Sequence, residues 1–395
     1  MKDDNQLLNA AYKKAIIDQT ISLARTGFTN LSLLESDLRG KKIYQTTTWP
    51  VELIFRKLVK NIHQRTGVRQ NDRFEIVRSI RRLCEEGVSF RVYKADIKSF
   101  YETIDTSYVL KCLRDDFKTS PSNLKLLSSF FETLTGAAVR GLPRGLAISA
   151  CLSEYAMREF DKSLFDDRKV FYYARYVDDM IIFTDGTEDS AKFLDDLGKK
   201  LPPGLKWNRK KTKPKDFKDS YAEKSEDVFV DKFQFLGFEF NVHKNSGPKR
   251  QRVRKVIVDI SPNKISKMKT KLILSAREFI SNGNFVLLER RIKLLTGNYT
   301  FYDHSRRQFR RAGFYYSYGM IDASISKALD EVDLFLKQML LSKHGKTFAP
   351  FHAALSTTNR KKLLTYSFKK NFLEKRHFKF SAEKLNAALE CWKYA

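Results

Sequence analysis

Phe171-Tyr172-Tyr173-Ala174-Arg175-Tyr176-Val177-Asp178-Asp179-Met180-Ile181-Ile182-Phe183 is the stretch that decides the fold. Two aromatic and aliphatic runs, rich in strand-favouring residues, flank a pair of adjacent carboxylates that do not favour strands. The pattern predicts a β-hairpin with Asp178 and Asp179 at its tip. Such a tip presents acids from a rigid support, which suits a divalent cation. An Asp-Asp pair alone is unspecific, since Asp3-Asp4, Asp115-Asp116, Asp166-Asp167 and Asp195-Asp196 also occur. Those lack an apolar run on each side and read as solvated turns or helix faces. Burial of both flanks at 178–179 leaves charges in need of a partner. Taken alone, the stretch fits an exposed turn equally well.

The 395 residues suffice for two or three subdomains, and 42% hydrophobic with 13% aromatic content supports a substantial core. Lys and Arg number 74 against 46 Asp and Glu, a net charge of +28. That excess, spread along the whole chain, predicts an extended surface for a polyanion, nucleic acid above all. No apolar run reaches the length of a membrane span and no secretion signal opens the chain, so a cytoplasmic protein without a membrane partner is expected. Cys84, Cys112, Cys151 and Cys391 lack the paired spacing of a zinc site and read as reduced, buried thiols.

Residues 1–90 read as mostly helical, with basic faces at Arg56, Lys57 and Lys60 and at Arg69, Arg73, Arg78, Arg81 and Arg82. Val88 to Ala95 alternates as a strand and ends at Asp96. A strand-end acid and a hairpin-tip pair can meet if their strands are neighbours in a sheet; read alone, Asp96 would be an N-cap. Gly141-Leu142-Pro143-Arg144-Gly145 precedes a helix and forms a tight loop. Phe233 to Phe240 alternates as a strand or hairpin. Ser261-Pro262 opens a helix that Gly283 closes. The remainder reads as helical and basic, with Arg306, Arg307, Arg310 and Arg311 interleaved with Phe309, Phe314, Tyr315 and Tyr316. Those rings suit either a nucleic-acid grip or a packed core.

In this order the motifs resemble the palm of a reverse transcriptase. Asp96 with Phe100-Tyr101 matches the first acidic motif, Gly141 to Ser149 the second, and Tyr176-Val177-Asp178-Asp179 the third. Asn208 to Thr212 matches the fourth, and Phe235-Leu236-Gly237 the primer grip. Arg56-Lys57, Asn61-Ile62, Asn71 to Arg73, Asp96 to Glu102 and Leu295 to Tyr299 are similar to bacterial unknown-group and abortive-infection enzymes, the defence-associated reverse transcriptases. Retron enzymes are the nearest rival; group II intron enzymes are more distant. Arg144 stands where many relatives carry Gln or another residue.

The resemblance implies an α+β, right-hand polymerase fold: fingers in 1–90, an antiparallel-sheet palm in 91–245 and a helical thumb with a C-terminal extension in 246–395. It implies RNA-directed DNA polymerisation by two Mg²⁺ ions, with Mn²⁺ as a substitute. Asp96, Asp178, Asp179 and the carbonyl of Ile97 would hold the metals. Tyr101, Arg144, Gly145, Lys211 and Arg73 would meet the nucleotide, Tyr101 as the gate against a 2′-hydroxyl. Phe235, Leu236 and Gly237 would support the primer. Expected partners are a noncoding RNA template, dNTPs, the DNA product, and a second defence protein or a further copy of the chain. An RNA-binding scaffold that lost catalysis, or an enzyme making DNA without a template, are the other readings.

Overall fold

Phe90–Asp96 is the strand on which the site is built, because each neighbour pairs with it or with its partner. The sheet runs, in spatial order, Val170–Tyr176, Asp179–Thr184, Phe90–Asp96 and Lys213–Phe217, and every pairing is antiparallel. The computed structural model describes residues 2–28, 31–38, 40–218, 228–245, 253–303 and 308–393. Alternation sends Tyr93, Ala95, Met180 and Ile182 to one face, where they join a core with the helices Trp49–Thr66, Pro121–Gly136 and Ala147–Phe165. Asp96 and Asp179 fall by the same parity on the opposite face. The central Asp179–Thr184 strand is closed on both faces, since Met180, Ile181, Ile182 and Phe183 are all fully buried.

The chain gathers into two compact units. The first comprises residues 1–72 and 89–217; the second comprises 73–88 and 218–395. In the second, Phe229–Phe235, Phe238–Asn245 and Arg254–Ile260 form an antiparallel sheet beside the helices Arg73–Glu85 and Pro262–Asn282. The helices Phe285–Thr296 and Lys327–Leu341 complete its core through Ile292, Leu329, Val332 and Leu336. The expected spans 1–90, 91–245 and 246–395 cut across this grouping. Among the described residues no helix is long and apolar enough to cross a membrane.

Several local expectations change. Leu33–Leu38 and Lys41–Thr46 form a hairpin within the supposedly helical N-terminal region. Their largely polar, exposed sequence gives no strand signal, and part of their anchorage is distant: the Tyr44 N–H donates to the Arg144 carbonyl at 2.7 Å. The C-terminal region contains a small sheet of Gln308–Ala312, Asn298–Asp303 and His377–Phe378. Asp96 is no N-cap; Ser99 occupies that position before the short helix Phe100–Thr103. Ser261 does cap Pro262–Asn282 by position, but its side chain makes no capping bond. Gly283 closes that helix at φ 65° as expected. Asp116 is no solvated turn acid, because it receives bonds from Tyr155 and Arg158. Of the aromatics after residue 306, Phe314 is core while Phe309, Tyr315 and Tyr316 are exposed; Arg306 and Arg307 lie outside the described residues.

Candidate active site

Antiparallel register places Asp96 directly opposite Asp179. Tyr176 pairs Asp179 across the hairpin, so Val177 and Asp178 form a two-residue turn above the pair. Val177 adopts φ 62°, a left-handed conformation in which a β-branched residue is a genuine outlier. All three acids thus project from neighbouring positions at one end of one sheet. Burial, with the charge of Asp96 adding to it, pushes the Asp178 carboxyl above the usual carboxylate range. Burial and then repulsion from Asp178 do the same to Asp179.

Asp96 is held from the side by the segment that follows Trp207. The Asn208 amide donates to its carboxylate at 2.8 Å, and the Asn208 N–H donates to its carbonyl at 2.7 Å. Lys211 Nζ lies 3.3 Å from the same carboxylate. A bridge pairs Ile97 with Trp207, and both its bonds are made by flanking residues, Lys98 N to Lys206 O and Asn208 N to Asp96 O. The bridge therefore does not consume the Ile97 carbonyl.

Tyr101 packs beneath the Arg144 guanidinium, 5.0 Å from ring centroid to Cζ. Arg144 is also bidentate to Glu102, at 3.0 and 3.2 Å from Nη2. Burial raises the Tyr101 hydroxyl's pKa, partly opposed by a hydrogen bond with Ser153. Two glycines let the loop close on these groups. A Cβ at Gly141 would strike the Tyr101 carbonyl, and one at Gly145 would stand 2.6 Å from the Tyr44 carbonyl oxygen.

The first unit thus brings together Asp96, Ile97, Asp178, Asp179, Tyr101, Arg144, Gly145 and Lys211. Arg73, Phe235, Leu236 and Gly237 belong to the second unit. There Phe235 and Phe238 close a hairpin whose turn, Leu236-Gly237, has φ 46° and 74°. Both angles match the turn type preferred in two-residue hairpins, at a cost for Leu that Gly does not bear. The Arg73 guanidinium donates to the Leu236 carbonyl. Lys264 lies 4.8 Å over the Phe238 ring, and burial with the nearby Arg73 charge lowers its pKa to about 8. Asn208, Glu102, Ser153 and Lys264 are additions to the expected set. The Asn-x-x-Lys spacing at 208–211 is the sequence signal for Asn208 and the Asp96 to Glu102 stretch that for Glu102; Ser153 and Lys264 have none.

Residues 30–240, more than half of the chain, match the family described as reverse transcriptase (RNA-dependent DNA polymerase). The chain belongs to the reverse transcriptases. Its right-hand polymerase architecture follows, with the four-stranded antiparallel sheet as the palm core. No curated protein matches the sequence. Among solved structures, apo telomerase from Candida tropicalis is 13% identical with a TM-score of 0.37, over 88% of this chain and 57% of that one. The form truncated from its C-terminal domain gives 14% and 0.37, over 58% of each chain. Candida tropicalis telomerase in complex with a telomeric RNA fragment gives 14% and 0.40, over 97% and 68%. The reverse transcriptase described here spans somewhat over half the length of the first of these. Likeness at this level carries no information on activity.

Reverse transcriptases generally use a divalent metal, and the residues can be weighed against one. Among the described residues no three His, Cys, Asp or Glu side chains form a ready-made cation cage. The donor chemistry nevertheless fits: Asp96, Asp178 and Asp179 offer hard carboxylate oxygens at one sheet end, and burial and mutual repulsion oppose the charge of the latter two. A hard cation offsets both costs.

Proposed function

We propose that this reverse transcriptase is an RNA-directed DNA polymerase that extends a primer with dNTPs. The observation that carries the reading is the register of Asp96 against Asp179 with Asp178 on the adjoining turn, inside the matched segment. Asp96, Asp178, Asp179 and the Ile97 carbonyl would hold two Mg²⁺ ions, with Mn²⁺ as a substitute. Bound there, the metal lowers the pKa of the primer hydroxyl and neutralises charge on the triphosphate and leaving pyrophosphate. Tyr101, with the Arg144 guanidinium over its ring, excludes the 2′-hydroxyl. Arg144 and Gly145 shape the loop beside the sugar. Lys211, 65% exposed and resting on Asp96, is free to swing to the departing pyrophosphate. Arg73 is offered to the triphosphate, and Phe235-Leu236-Gly237 to the primer end. Fingers, palm and thumb are assigned to 1–90, 91–245 and 246–395.

The finer assignment is to a bacterial antiviral defence system working with a dedicated noncoding RNA in the cytoplasm. Its support is the similarity of Asp96 to Glu102 and Leu295 to Tyr299 to defence-associated enzymes, together with the +28 charge. A broad basic surface holds structured RNA through phosphates and shape. Primer extension on a defined RNA template tests the activity: Asp178→Ala and Asp179→Ala should each abolish dNTP incorporation while RNA binding persists. Full activity in the double variant refutes the site. Sequencing the RNA that copurifies at moderate salt tests the partner; one enriched species is expected, and a random transcript sample refutes it.

A further inference from the structure

A charged side chain sits in the wall beneath the aspartate turn, where the reaction as described gives it no task. Arg175 pairs in register with Met180, so it points to the helix-packed face of the sheet, opposite the carboxylates. Its side chain is only 3% exposed. All of its donors are spent. Nη1 and Nη2 donate to Glu154 at 3.1 and 2.7 Å, and Nε and Nη2 donate to Asp161 at 2.9 and 2.6 Å. The last bond, from Nη1, goes to the Val177 carbonyl at 3.2 Å. Five bonds in a fixed fork are what a guanidinium can make and an ammonium cannot.

The partners are fixed in turn. Glu154 and Asp161 lie two turns apart on the Ala147–Phe165 helix and so share a face. The Tyr173 hydroxyl donates to Asp161 at 2.7 Å, and the Asn71 amide donates to the Arg175 carbonyl at 3.1 Å. One buried cation thus meets two carboxylates. Such clusters add little stability over a well-packed apolar replacement, so stability does not account for this one. What distinguishes it is where it ends. Val177 is held in a left-handed conformation that persists only where its surroundings over-determine it. The residue after it is Asp178.

We propose that Arg175 is the positioning residue for Asp178. It ties the buried face of the Ala147–Phe165 helix to the Val177 carbonyl and thereby fixes the turn that carries Asp178 over the Asp96–Asp179 pair. The proposal rests on the polymerase reading of that site. Arg175→Lys keeps the charge but cannot span both acids and the carbonyl; Glu154→Gln keeps shape and weakens one arm.

The experiment uses the full chain and first verifies by thermal melting that each variant is folded at the assay temperature. Primer extension gives kcat and KM for dNTP, and electron paramagnetic resonance of free Mn²⁺ gives metal affinity without turnover. In Arg175→Lys, kcat should fall about 100-fold, the loss expected from displacing a reacting group by about 1 Å. KM should change by less than about threefold while Mn²⁺ binding weakens about 10-fold, as for other supports of metal ligands. Glu154→Gln should move the same quantities in the same direction by less, and it decides the matter alone if Arg175→Lys does not fold. Wild-type kcat and Mn²⁺ affinity in a folded variant overturn the proposal, as does a loss that only tracks the unfolded fraction. Asp178→Asn separates the two readings: if it leaves extension intact, the polymerase site is wrong, whereas positioning is judged by Mn²⁺ affinity.

Discussion

Replacing Gly141 by Ala should both destabilise the protein and loosen its choice of sugar. Gly141 has φ +66°, and an added Cβ would meet the Tyr101 carbonyl oxygen and stand 2.7 Å from the Glu102 carbonyl. Holding Ala in the left-handed region costs about 1–2 kcal/mol. The obstruction is backbone and cannot swing aside, so overpacking adds about 1–3 kcal/mol. The Leu142 N–H bond to Tyr101, 2.8 Å long, would be lost for about 1 kcal/mol more. The total of about 3–6 kcal/mol is a large part of an ordinary protein's stability. It corresponds to a fall in melting temperature of roughly 6–24 °C for a unit of this size. Relief requires Tyr101 to move, and its ring moves with it. Thermal melts of wild type and variant in parallel, with the ratio of dNTP to rNTP incorporation below both transitions, measure the two effects. A variant that melts within about 2 °C of wild type and keeps its sugar ratio would refute the claim that this loop is seated on Tyr101.

Tyr101→Val should admit rNTPs because the crowding ring is gone; an unchanged ratio in single-nucleotide incorporation places the gate elsewhere. Asn208→Ala removes the amide that orients Asp96 and should lower kcat about 10- to 100-fold with little change in melting, read by primer extension. Without metal, Asp178→Asn/Asp179→Asn should melt higher than wild type at neutral pH. Both folded-state pKa values are raised, so the ionised pair costs stability above those values, and the cost disappears as pH falls toward the ordinary carboxylate value of about 4. The gap between variant and wild type should therefore close on acidification, and a gap that widens refutes the sign. Glu289 runs the other way: against burial, hydrogen bonds from Tyr366, Lys293 and Lys362 hold it at about 2, and its support is lost as pH falls through that range.

The catalytic stretch was legible because its signals are local. Alternating apolar residues around Asp178-Asp179 specify a hairpin, and the run before Asp96 specifies a strand. That the two strands are neighbours is a statement about residues some eighty positions apart, and only the family pattern supplied it. The Leu33–Thr46 hairpin escaped because its strands are polar and exposed, with one anchor at Arg144. The sheet at 298–312 escaped for the related reason that its basic and aromatic residues suit several environments. Arg175 reads as one charge in an apolar run, and nothing near it in the chain names Glu154 or Asp161 as the acids that neutralise it.

The pairing of Asp96 with Asp179 also governs which changes of length a lineage of such chains can inherit. Side chains alternate along a strand, so deleting one residue within Phe90–Asp96 turns the rest of that strand over and sends the acid into the packed face. The same holds for a one-residue insertion in Asp179–Thr184. The excursion between Ile97 and Lys169 leaves the sheet and returns without setting its register. Its turn at Phe117–Thr119, between Asp116, which Tyr155 and Arg158 hold, and the capping Ser120, can change length with little effect, Phe117 being 90% exposed. Single-codon deletions should therefore be silent at that turn and lethal to function in the strands.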